Sequence, residues 1–585
     1  MADEAKRSKD ELMKENSRQL RGTIAQELQD PSAPFSGDNE KLLKPHGIYQ
    51  QDDRDHRHEK NPDGTSKGKQ YIFMVRTAVP GGKVTAAQFL AHLDLCERYG
   101  NGTLRVTSRQ GFQLHGVIKR NLKAAVQGIN ETLLTTLAAC GDVKRNMMAC
   151  PAPFKTDTAR HEMQVLADTL AEHLKPRTTA YHEIWLTDDS GVTQNVAEWK
   201  PVDEPIYGTC YLPRKFKIGF TLPEDNCIDV YTQDIGLVPE LKEGHLEGFT
   251  VLIGGGMGMT HNKGETYPRL ATPLCFATND EILPLVETIV KVQRDYGDRQ
   301  NRKHARMKYV VEERGIAWFR DEVEQRLGYS LQEPRPISWQ HAEDHLGWHK
   351  QEDGRWFVGL FVENGRIKDV AEMRMRSGLR HAIEEFRPNI RLTPGQNILL
   401  TDLDETQRAP LTALLASYGI PVDPAQVGTR RFSMACPALP TCGLALAEAE
   451  RALPSIMRQI EAELAALGME NVPLGIRMTG CPNGCARPFM GDIGFVGRTK
   501  DVYNIYVGGD MLNTRMNTLY AASVHVQDLV ATLRPLLALW KEQRLPAENF
   551  GDFCTRVGLE NLQEQVAAFA RERDQGGACL SLRGF

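Results

Sequence analysis

LRVTSRQGFQL (residues 104–114) and IRLTPGQNILL (residues 390–400) are two copies of one pattern, and this repetition determines how the chain is organised. RNMMACPAP (145–153) and RFSMACPAL (431–439) repeat at the same offset of 286 residues. Two separate segments that share one offset indicate a duplicated unit. The matching residues are Arg105/Arg391, Thr107/Thr393, Gln110/Gln396, Arg145/Arg431 and Cys150/Cys436.

A second pair of segments follows in the same order along the chain. IGFTLPEDNC…DIGLV (218–238) matches IRMTGCPNGC…DIGFV (476–496) at an offset of 258 residues, which places Cys227 opposite Cys485. Because there are only two copies, the chain is not a solenoid. We predict a globular assembly of two related halves with pseudo-two-fold symmetry.

Local patterns predict a mixture of helices and strands. QYIFMVRTAVPGGKVTA (70–86) is typical of a strand followed by a turn, and RWFVGLFVENGRIKDV (355–370) of a hairpin through Asn364-Gly365. AAQFLAHLDLCERYGNG (86–102) and ALAEAERALPSIMRQIEAELAALGM (445–469) have helical periodicity. These patterns predict an α+β fold.

Composition excludes several classes of protein. The 585 residues carry a net charge of −5 with ordinary shares of apolar (41%) and charged (25%) residues, so nothing indicates nucleic acid or a membrane as a partner. No apolar run is long enough to cross a bilayer, and MADEAKRSKDELMKEN (1–16) lacks the apolar core of a secretory signal. We therefore expect a cytoplasmic protein of several domains.

Four of the twelve cysteines are clustered: Cys436, Cys442, Cys481 and Cys485. They form C-x5-C and C-x3-C, separated by 38 residues, and no histidine lies within either pair. The wide first pair and the absence of histidine favour an iron–sulfur cluster over structural zinc. Spacing alone leaves zinc and buried, metal-free thiols as alternatives. The first copy keeps only Cys150 and Cys227 at the matching places.

SMACPALPTC (433–442) and TGCPNGC (479–485) resemble the signature of the sirohaem-dependent sulfite and nitrite reductases. The resemblance covers most of the chain, from RGTIAQELQD (21–30) to FGDFC (550–554), and is strongest to the NADPH-dependent members. It implies that all four clustered cysteines bind a [4Fe–4S] cluster. It also implies that Cys485 is shared with the iron of a sirohaem.

The resemblance implies a pseudo-two-fold α+β fold with ferredoxin-like halves. The polar N-terminal segment is predicted to be an extended arm, and its composition leaves disorder as an alternative. The predicted divisions are an N-terminal arm (1–65), a first ferredoxin-like half-domain (66–148), a first sirohaem-binding repeat domain (149–345), a second ferredoxin-like half-domain (346–428) and a second repeat domain with the cluster cysteines (429–585).

RVTSRQGFQLHG (105–116) places polar side chains at alternating positions, so one face of a strand would carry them all. Such a row is by itself typical of a solvent-exposed face. Sirohaem carries many carboxylates, and buried anions need cationic partners. The repeat and the resemblance therefore favour contacts with sirohaem by Arg105, Thr107, Arg109, Gln113 and His115.

YLPRKFKIGF (211–220) places Lys215 and Lys217 on one face of a strand. Two neighbouring ammonium groups repel each other unless an anion lies between them, although a solvated face is the alternative. In the family that the chain resembles, the matching lysines surround the substrate together with two arginines. Those arginines correspond to Arg76 and Arg145.

The glycine run in VLIGGGMGMTH (251–261) does not open a helix as a G-x-G-x-x-G motif would. We interpret Gly254–Gly256 either as tight backbone near the macrocycle or as a turn. Because the chain has neither a Rossmann fingerprint nor a P-loop, we expect NADPH to be bound by a partner.

The resemblance implies the catalytic subunit of an assimilatory sulfite reductase, an oxidoreductase that converts sulfite to sulfide with six electrons. The implied electron donor is a diflavin (FAD/FMN) NADPH reductase α-subunit, docked through the N-terminal arm, with ferredoxin or flavodoxin as alternatives. Two other functions stay open. One is nitrite reduction to ammonia in the same family, and the other is a non-catalytic protein with four cysteines around zinc or a cluster.

Overall fold

The computed structural model describes residues 7–154, 158–180, 185–187, 190–195 and 200–568. The outer ends of the predicted arm and of the second repeat domain, residues 1–6 and 569–585, lie outside the described residues, as do four short stretches between 155 and 199. The chain divides into a first unit, Met1–Gly256, Arg269–Trp339 and Glu343–Val422, and a second unit, Met257–Pro268, Gln340–Ala342 and Asp423–Phe585.

Two five-stranded antiparallel sheets in the first unit share one topology, with the strand orders β1-β2-β5-β4-β15 and β13-β14-β17-β16-β3. The first contains β1 (Ile48–Asp52), β2 (Tyr71–Thr77), β4 (Leu104–Val106), β5 (Phe112–Val117) and β15 (Arg366–Ile367). The second contains β3 (Lys83–Val84), β13 (Gly347–Lys350), β14 (Trp356–Leu360), β16 (Asn389–Leu392) and β17 (Ile398–Leu403).

Each of these two sheets contains one strand from the other half of the chain. In β15, Arg366 and Ile367 pair with Arg105 and Leu104 of β4, whereas β3 pairs with β16. The predicted hairpin through Asn364-Gly365 is therefore wrong, because β14 and β15 belong to different sheets. A side chain on Gly365 would lie 2.2 Å from the carbonyl oxygen of Val106, so the exchanged strand requires glycine there.

The two halves share one hydrophobic core, which contains buried side chains from both sheets and from four helices. These helices are α4 (Ala86–Tyr99), α5 (Leu122–Glu131), α10 (Met375–Phe386) and α11 (Glu405–Ser417). Helix α4 begins at a capping box, in which Thr85 accepts from the backbone N–H of Gln88 at 3.2 Å. This start agrees with the helix that the sequence predicts from residue 86.

Two further sheets repeat a second topology, in which three parallel strands are followed by two antiparallel ones. One lies in the first unit and contains β6 (Met148–Ala149), β9 (Ile218–Phe220), β10 (Ile235–Lys242), β11 (His245–Ile253) and β12 (Thr272–Thr278). The other lies in the second unit and contains β18 (Ser433–Ala435), β19 (Ile476–Thr479), β20 (Ile493–Thr499), β21 (Val502–Val507) and β22 (Thr518–His525). The duplicated segments thus form matching strands.

The remaining elements include a small sheet of β7 (Trp185–Thr187) and β8 (Thr193–Asn195). The helix predicted over 445–469 begins only at Leu453, where Pro454 occupies the first turn.

No helix among the described residues is long and apolar enough to span a membrane. The other helices are α1 (Lys9–Glu15), α2 (Ile24–Glu27), α3 (Gly37–Leu42), α6 (Thr158–His173), α7 (Asn279–Tyr296), α8 (Met307–Arg314), α9 (Ile316–Leu327), α12 (Pro424–Val427), α13 (Leu453–Ala466), α14 (Leu529–Gln543) and α15 (Phe550–Val557).

The described part of the predicted arm contains helices α1–α3 and strand β1, which pairs with β2. Leu20 and Leu43 are buried, and Nζ of Lys14 donates to the carbonyl oxygen of Leu212 at 2.7 Å. Nζ of Lys14 also lies 2.6 Å from a carboxylate oxygen of Glu11. These contacts attach the segment to the first unit.

We expect Ile367→Ala to destabilise the first unit by about 2–5 kcal/mol, because it removes a buried side chain from the exchanged strand. Val370→Ala is the matched control, since Val370 is 43% exposed and its truncation should change stability by less than about 0.5 kcal/mol. Urea unfolding followed by circular dichroism measures both. Equal midpoints for the two variants would contradict the exchange.

Candidate functional site

Two loops of the second unit carry the four predicted cysteines. Strand β18 ends directly before Cys436, and β19 ends two residues before Cys481. Because β18 and β19 are parallel neighbours, both loops leave the sheet at the same edge. Burial, followed by the charges of Cys485, Cys481 and Cys442, raises the pKa of Cys436 well above its ordinary value, and burial with Cys485 and Cys481 raises that of Cys442 to about 11. The thiols of Cys436 and Cys442 therefore each lie within electrostatic range of Cys481 and Cys485.

Backbone and side-chain donors hold the cysteine loops in place. The N–H of Gly480 donates to Sγ of Cys436, and Nδ2 of Asn483 donates to Sγ of Cys481, both at 3.4 Å. A side chain on Gly480 would lie 2.4 Å from the carbonyl oxygen of Ala447, so only glycine fits there. Hydrogen bonds to sulfur stabilise the thiolate form and tune the potential of a bound cluster.

The donor set fits an iron–sulfur cluster. Such a cluster requires four soft sulfur ligands. Two loops that leave the sheet at the same edge supply them here. Cys436 and Cys481 are 8% and 6% exposed, whereas Cys485 is exposed. A role of Cys485 as a ligand shared with sirohaem stays a prediction.

In the first unit, Arg76, Arg105 and Arg366 lie on neighbouring strands around Gln113. Gln113 is the register partner of both Arg76 and Arg105, and Arg105 is in turn paired with Arg366. Nη1 of Arg105 donates to Oε1 of Gln113 at 3.3 Å, and Nε2 of His115 lies 3.3 Å from the same oxygen. Burial, followed by the three arginine charges, lowers the pKa of His115 well below its ordinary value. The imidazole is thus neutral amid fixed positive charge.

Arg76 and Arg145 both approach Tyr49 on β1. Nη2 of Arg145 donates to the hydroxyl of Tyr49 at 3.4 Å, and the guanidinium of Arg76 lies 5.9 Å from the ring centroid. Nε of Arg76 is buried and has no hydrogen-bond partner in the structure. A buried donor without a partner lowers the stability of the folded chain by about 1–3 kcal/mol. An anionic ligand that supplies an acceptor would therefore fit this site.

The two predicted lysines are half-buried and lie close to the buried basic residues Arg306 and Lys308, with which they form a cationic group. Burial, followed by the charges of Arg109, Lys215 and Arg306, lowers the pKa of Lys217 well below its ordinary value. Burial, Arg306 and Lys215 likewise lower the pKa of Lys308 to about 6. Like charges held together out of water are stabilised by a bound anion, and this arrangement fits a polyanionic cofactor or substrate.

Two predicted cofactor contacts also have a structural role. Nη1 of Arg109 donates to Oε1 of Gln233 at 2.8 Å, and Nη2 donates to the carbonyl oxygen of Asn146 at 2.6 Å. Oγ1 of Thr107 accepts from the backbone N–H of Gly111 at 3.1 Å and so closes the turn after β4. Contacts of Thr107 and Arg109 with a cofactor stay predictions.

Gly254–Gly256 form tight backbone in the first unit. A side chain on Gly255 would lie 2.2 Å from the carbonyl oxygen of Tyr231, and the N–H of Gly255 donates to the carbonyl oxygen of Gln233 at 2.9 Å. This close approach explains why the run contains glycine, whereas its proximity to a macrocycle stays a prediction.

Sequence reasoning missed several members of the cationic group. Arg306 precedes α8 and Lys308 lies in its first turn, so their alternation in NRKHARMKY (301–309) does not place them on one face and is not a signal for the site. Arg306 forms a buried ion pair with Asp234, with Nη2 2.8 Å from Oδ2. Arg366 carries no signal either, because only the exchange of β15 brings it to Arg105.

Comparison with protein families gives matches in both halves of the chain. Residues 66–132 and 349–418 match the nitrite/sulfite reductase ferredoxin-like half domain. Residues 166–331 and 428–572 match the nitrite and sulphite reductase 4Fe-4S domain. The chain belongs to the nitrite and sulfite reductase family. Membership makes it an oxidoreductase and confirms, at the level of the family, the predicted pair of a [4Fe–4S] cluster and a sirohaem.

Relatives of this family resemble the chain over nearly its whole length. Two are named sulfite reductase (NADPH) hemoprotein beta-component. The one from Geobacillus kaustophilus (strain HTA426) is 45% identical over 553 residues, covering 94% of this chain and 95% of that protein. The one from Staphylococcus haemolyticus (strain JCSC1435) is 44% identical over 550 residues, with the same coverage.

A solved structure confirms the predicted fold. The Mycobacterium tuberculosis NirA protein has a TM-score of 0.77 and 21% sequence identity, covering 95% of this chain and 98% of that chain. The chain therefore has the duplicated α+β fold with ferredoxin-like halves that the sequence predicts.

We expect binding of an anion to the cationic group to take up protons at pH 8. The pKa of Lys308 is about 6, so its amine is neutral at that pH, and a nearby anion raises the pKa and protonates it. Titration calorimetry with sulfate, in two buffers of different ionisation enthalpy, measures the uptake. Lys308→Met should reduce it, whereas Lys242→Met, at an exposed position, should not. Equal uptake by all three proteins would contradict this assignment.

Proposed function

We propose that this chain is the catalytic haemoprotein subunit of an assimilatory sulfite reductase, which reduces sulfite to sulfide with six electrons. The observation that carries the proposal is the cationic group around Lys217 and Lys308, which suits a small dianion. The names of the relatives from Geobacillus and Staphylococcus support the same activity.

The cofactors are proposed to be held by residues of both copies. Cys436, Cys442, Cys481 and Cys485 would bind the [4Fe–4S] cluster, with Cys485 also a ligand of the sirohaem iron. The sirohaem carboxylates would be bound by the buried polar group of Arg105, Thr107, Arg109, Gln113 and His115. When bound, the cluster and the sirohaem supply electrons to the substrate one at a time.

Arg76 and Arg145 are proposed to bind the sulfite oxygens, because guanidinium groups keep their charge at every working pH. Lys215 and Lys217 are proposed to complete this anion site and to supply protons to the oxygens that leave as water. Burial and the neighbouring positive charges lower the pKa of Lys217 well below its ordinary value, and a bound anion would favour its protonated, proton-donating form.

We expect Lys215→Met to lower sulfite turnover on the order of 10²-fold or more, because a positioned proton donor contributes about 10²–10⁴-fold. The visible absorption spectrum should be unchanged, since the cofactors keep their own ligands. Lys242→Met is the control at an exposed position. Turnover by Lys215→Met equal to the control would refute the proton role.

We expect Cys442→Ser to lose most of its iron and acid-labile sulfide, because serine replaces a soft sulfur ligand by oxygen. Cys554→Ser changes another buried, free thiol of the second unit and should keep both. Chemical analysis of the purified variants measures the loss. Full retention by Cys442→Ser would remove this residue from the ligand set.

Nitrite reduction to ammonia is the second candidate, because the matched family domains include both substrates in their names. The ratio of kcat/KM for sulfite and nitrite, measured with a chemical reductant, decides between them. A preference for nitrite would replace the proposed activity. Purified protein without iron or acid-labile sulfide would instead favour the non-catalytic, four-cysteine protein.

The electron donor is proposed to be a diflavin NADPH reductase α-subunit that docks through the N-terminal arm, and the NADPH in the relatives' names supports a flavoprotein donor. Removing residues 1–7 should lower NADPH-dependent turnover with that flavoprotein while leaving turnover with a chemical reductant unchanged. Equal NADPH-dependent rates would refute docking through this segment.

A cytoplasmic location is proposed because all eleven described cysteines are free thiols.

A further inference from the structure

The first unit carries a second group of metal-binding side chains, at places that the repeat relates to the cluster cysteines. Cys150 corresponds to Cys436, and Cys227 corresponds to Cys485. In the structure, one ligand atom each of Cys150, Asp225 and His345 lies within 4.8 Å of the other two, and all three residues are buried. The cationic group described above does not include these residues.

The matching topology explains why these side chains meet. Strand β6 ends directly before Cys150, and the loop after β9 carries Asp225 and Cys227. Because β6 and β9 are parallel neighbours, both loops leave the sheet at one edge, as the cluster loops do in the second unit. The thiol of Cys227 interacts with that of Cys150, so Cys227 borders the group, although its sulfur is not among the atoms that all lie within 4.8 Å of one another.

His345 is held with its ring directed at the group. Nε2 is buried and lies 3.3 Å from Oδ2 of Asp225. The rings of Phe154 and Phe357 pack edge-on against the imidazole, with centroids 6.0 and 6.4 Å away. A side chain on Gly359 would lie 2.0 Å from the carbonyl oxygen of His345, so glycine at that position allows the backbone to approach closely.

The surroundings also orient the other ligands. Oδ1 of Asp225 accepts from the backbone N–H of Glu343 at 3.1 Å, which leaves Oδ2 directed towards His345. Nε2 of Gln164 donates to the carbonyl oxygen of Cys150 at 2.8 Å. Outer partners of this kind fix the direction of metal ligands. The buried carboxylate of Asp225 faces the imidazole of His345, and a cation bound between them would compensate its charge.

We propose that Cys150, Cys227, Asp225 and His345 bind one divalent metal ion of the zinc type. Two sulfur atoms, one imidazole nitrogen and one carboxylate oxygen make a closed tetrahedral set, which is typical of a structural zinc site. Zinc bonds of about 2.0–2.3 Å place such ligands roughly 3.3–3.8 Å apart, so Cys150, Asp225 and His345 need only a small contraction. The sulfur of Cys227, by contrast, has to move closer to them. With two thiols instead of four, this copy lacks the ligands of a cubane cluster.

Metal analysis of the purified holoenzyme tests the site. Mass spectrometry of the digested protein should find about one zinc per chain in addition to the iron, retained after dialysis, because a closed structural site holds its metal tightly. His345→Gln and Cys150→Ala should each reduce the zinc at least tenfold. Cys275→Ala, a buried free thiol on β12 of the same unit, should retain it.

X-ray absorption at the zinc edge separates this site from zinc misplaced in the cluster site. The proposed site gives two sulfur and two lighter neighbours, whereas zinc on the four cluster cysteines gives four sulfurs. Holoenzyme without zinc, a four-sulfur spectrum, or a metal-free Cys150–Cys227 disulfide would each overturn the proposal. If neither ligand variant folds, the zinc content and spectrum of the unaltered holoenzyme decide the matter.

Discussion

The buried positive charge of the first unit is the constraint on which the rest of the site depends. The half-buried Lys217 and the buried Lys308 lie among arginines, where desolvation and repulsion both oppose their charged forms. Arg306 of this group forms a buried ion pair with Asp234. A fold that keeps such a group has stability to gain from a bound anion, and this requirement links the architecture to oxyanion chemistry.

The strand exchange between the ferredoxin-like halves gives this charge a rigid support. Strand β15 brings Arg366 beside Arg105, and the shared core fixes both strands against the same helices. A side chain fixed by sheet register loses little further entropy when a ligand binds. The exchange therefore serves both stability and preorganisation, since one shared core replaces two small ones.

The duplicated sheets show how one scaffold can carry two chemistries. In both units, the first two parallel strands end at one edge and present their loops there. The second copy has four cysteines in these loops, which suits a redox cluster. The first copy has Cys150, Cys227 and Asp225, with His345 beside them, which suits a metal without redox chemistry. The ends of the parallel strands fix where the two loops lie, and the residues in those loops determine which metal can bind.

The sequence by itself determined the duplication, the clustering of the four cysteines and the family, because repeats and ligand spacing are local patterns, whereas the roles of the basic residues stay predictions. Only the tertiary structure decided the strand exchange after Asn364-Gly365, the late start of α13, and the placing of Arg306, Arg366 and His345. These features depend on contacts between residues far apart in the chain. Burial and sheet register set such contacts, and neither leaves a periodic signal in one segment.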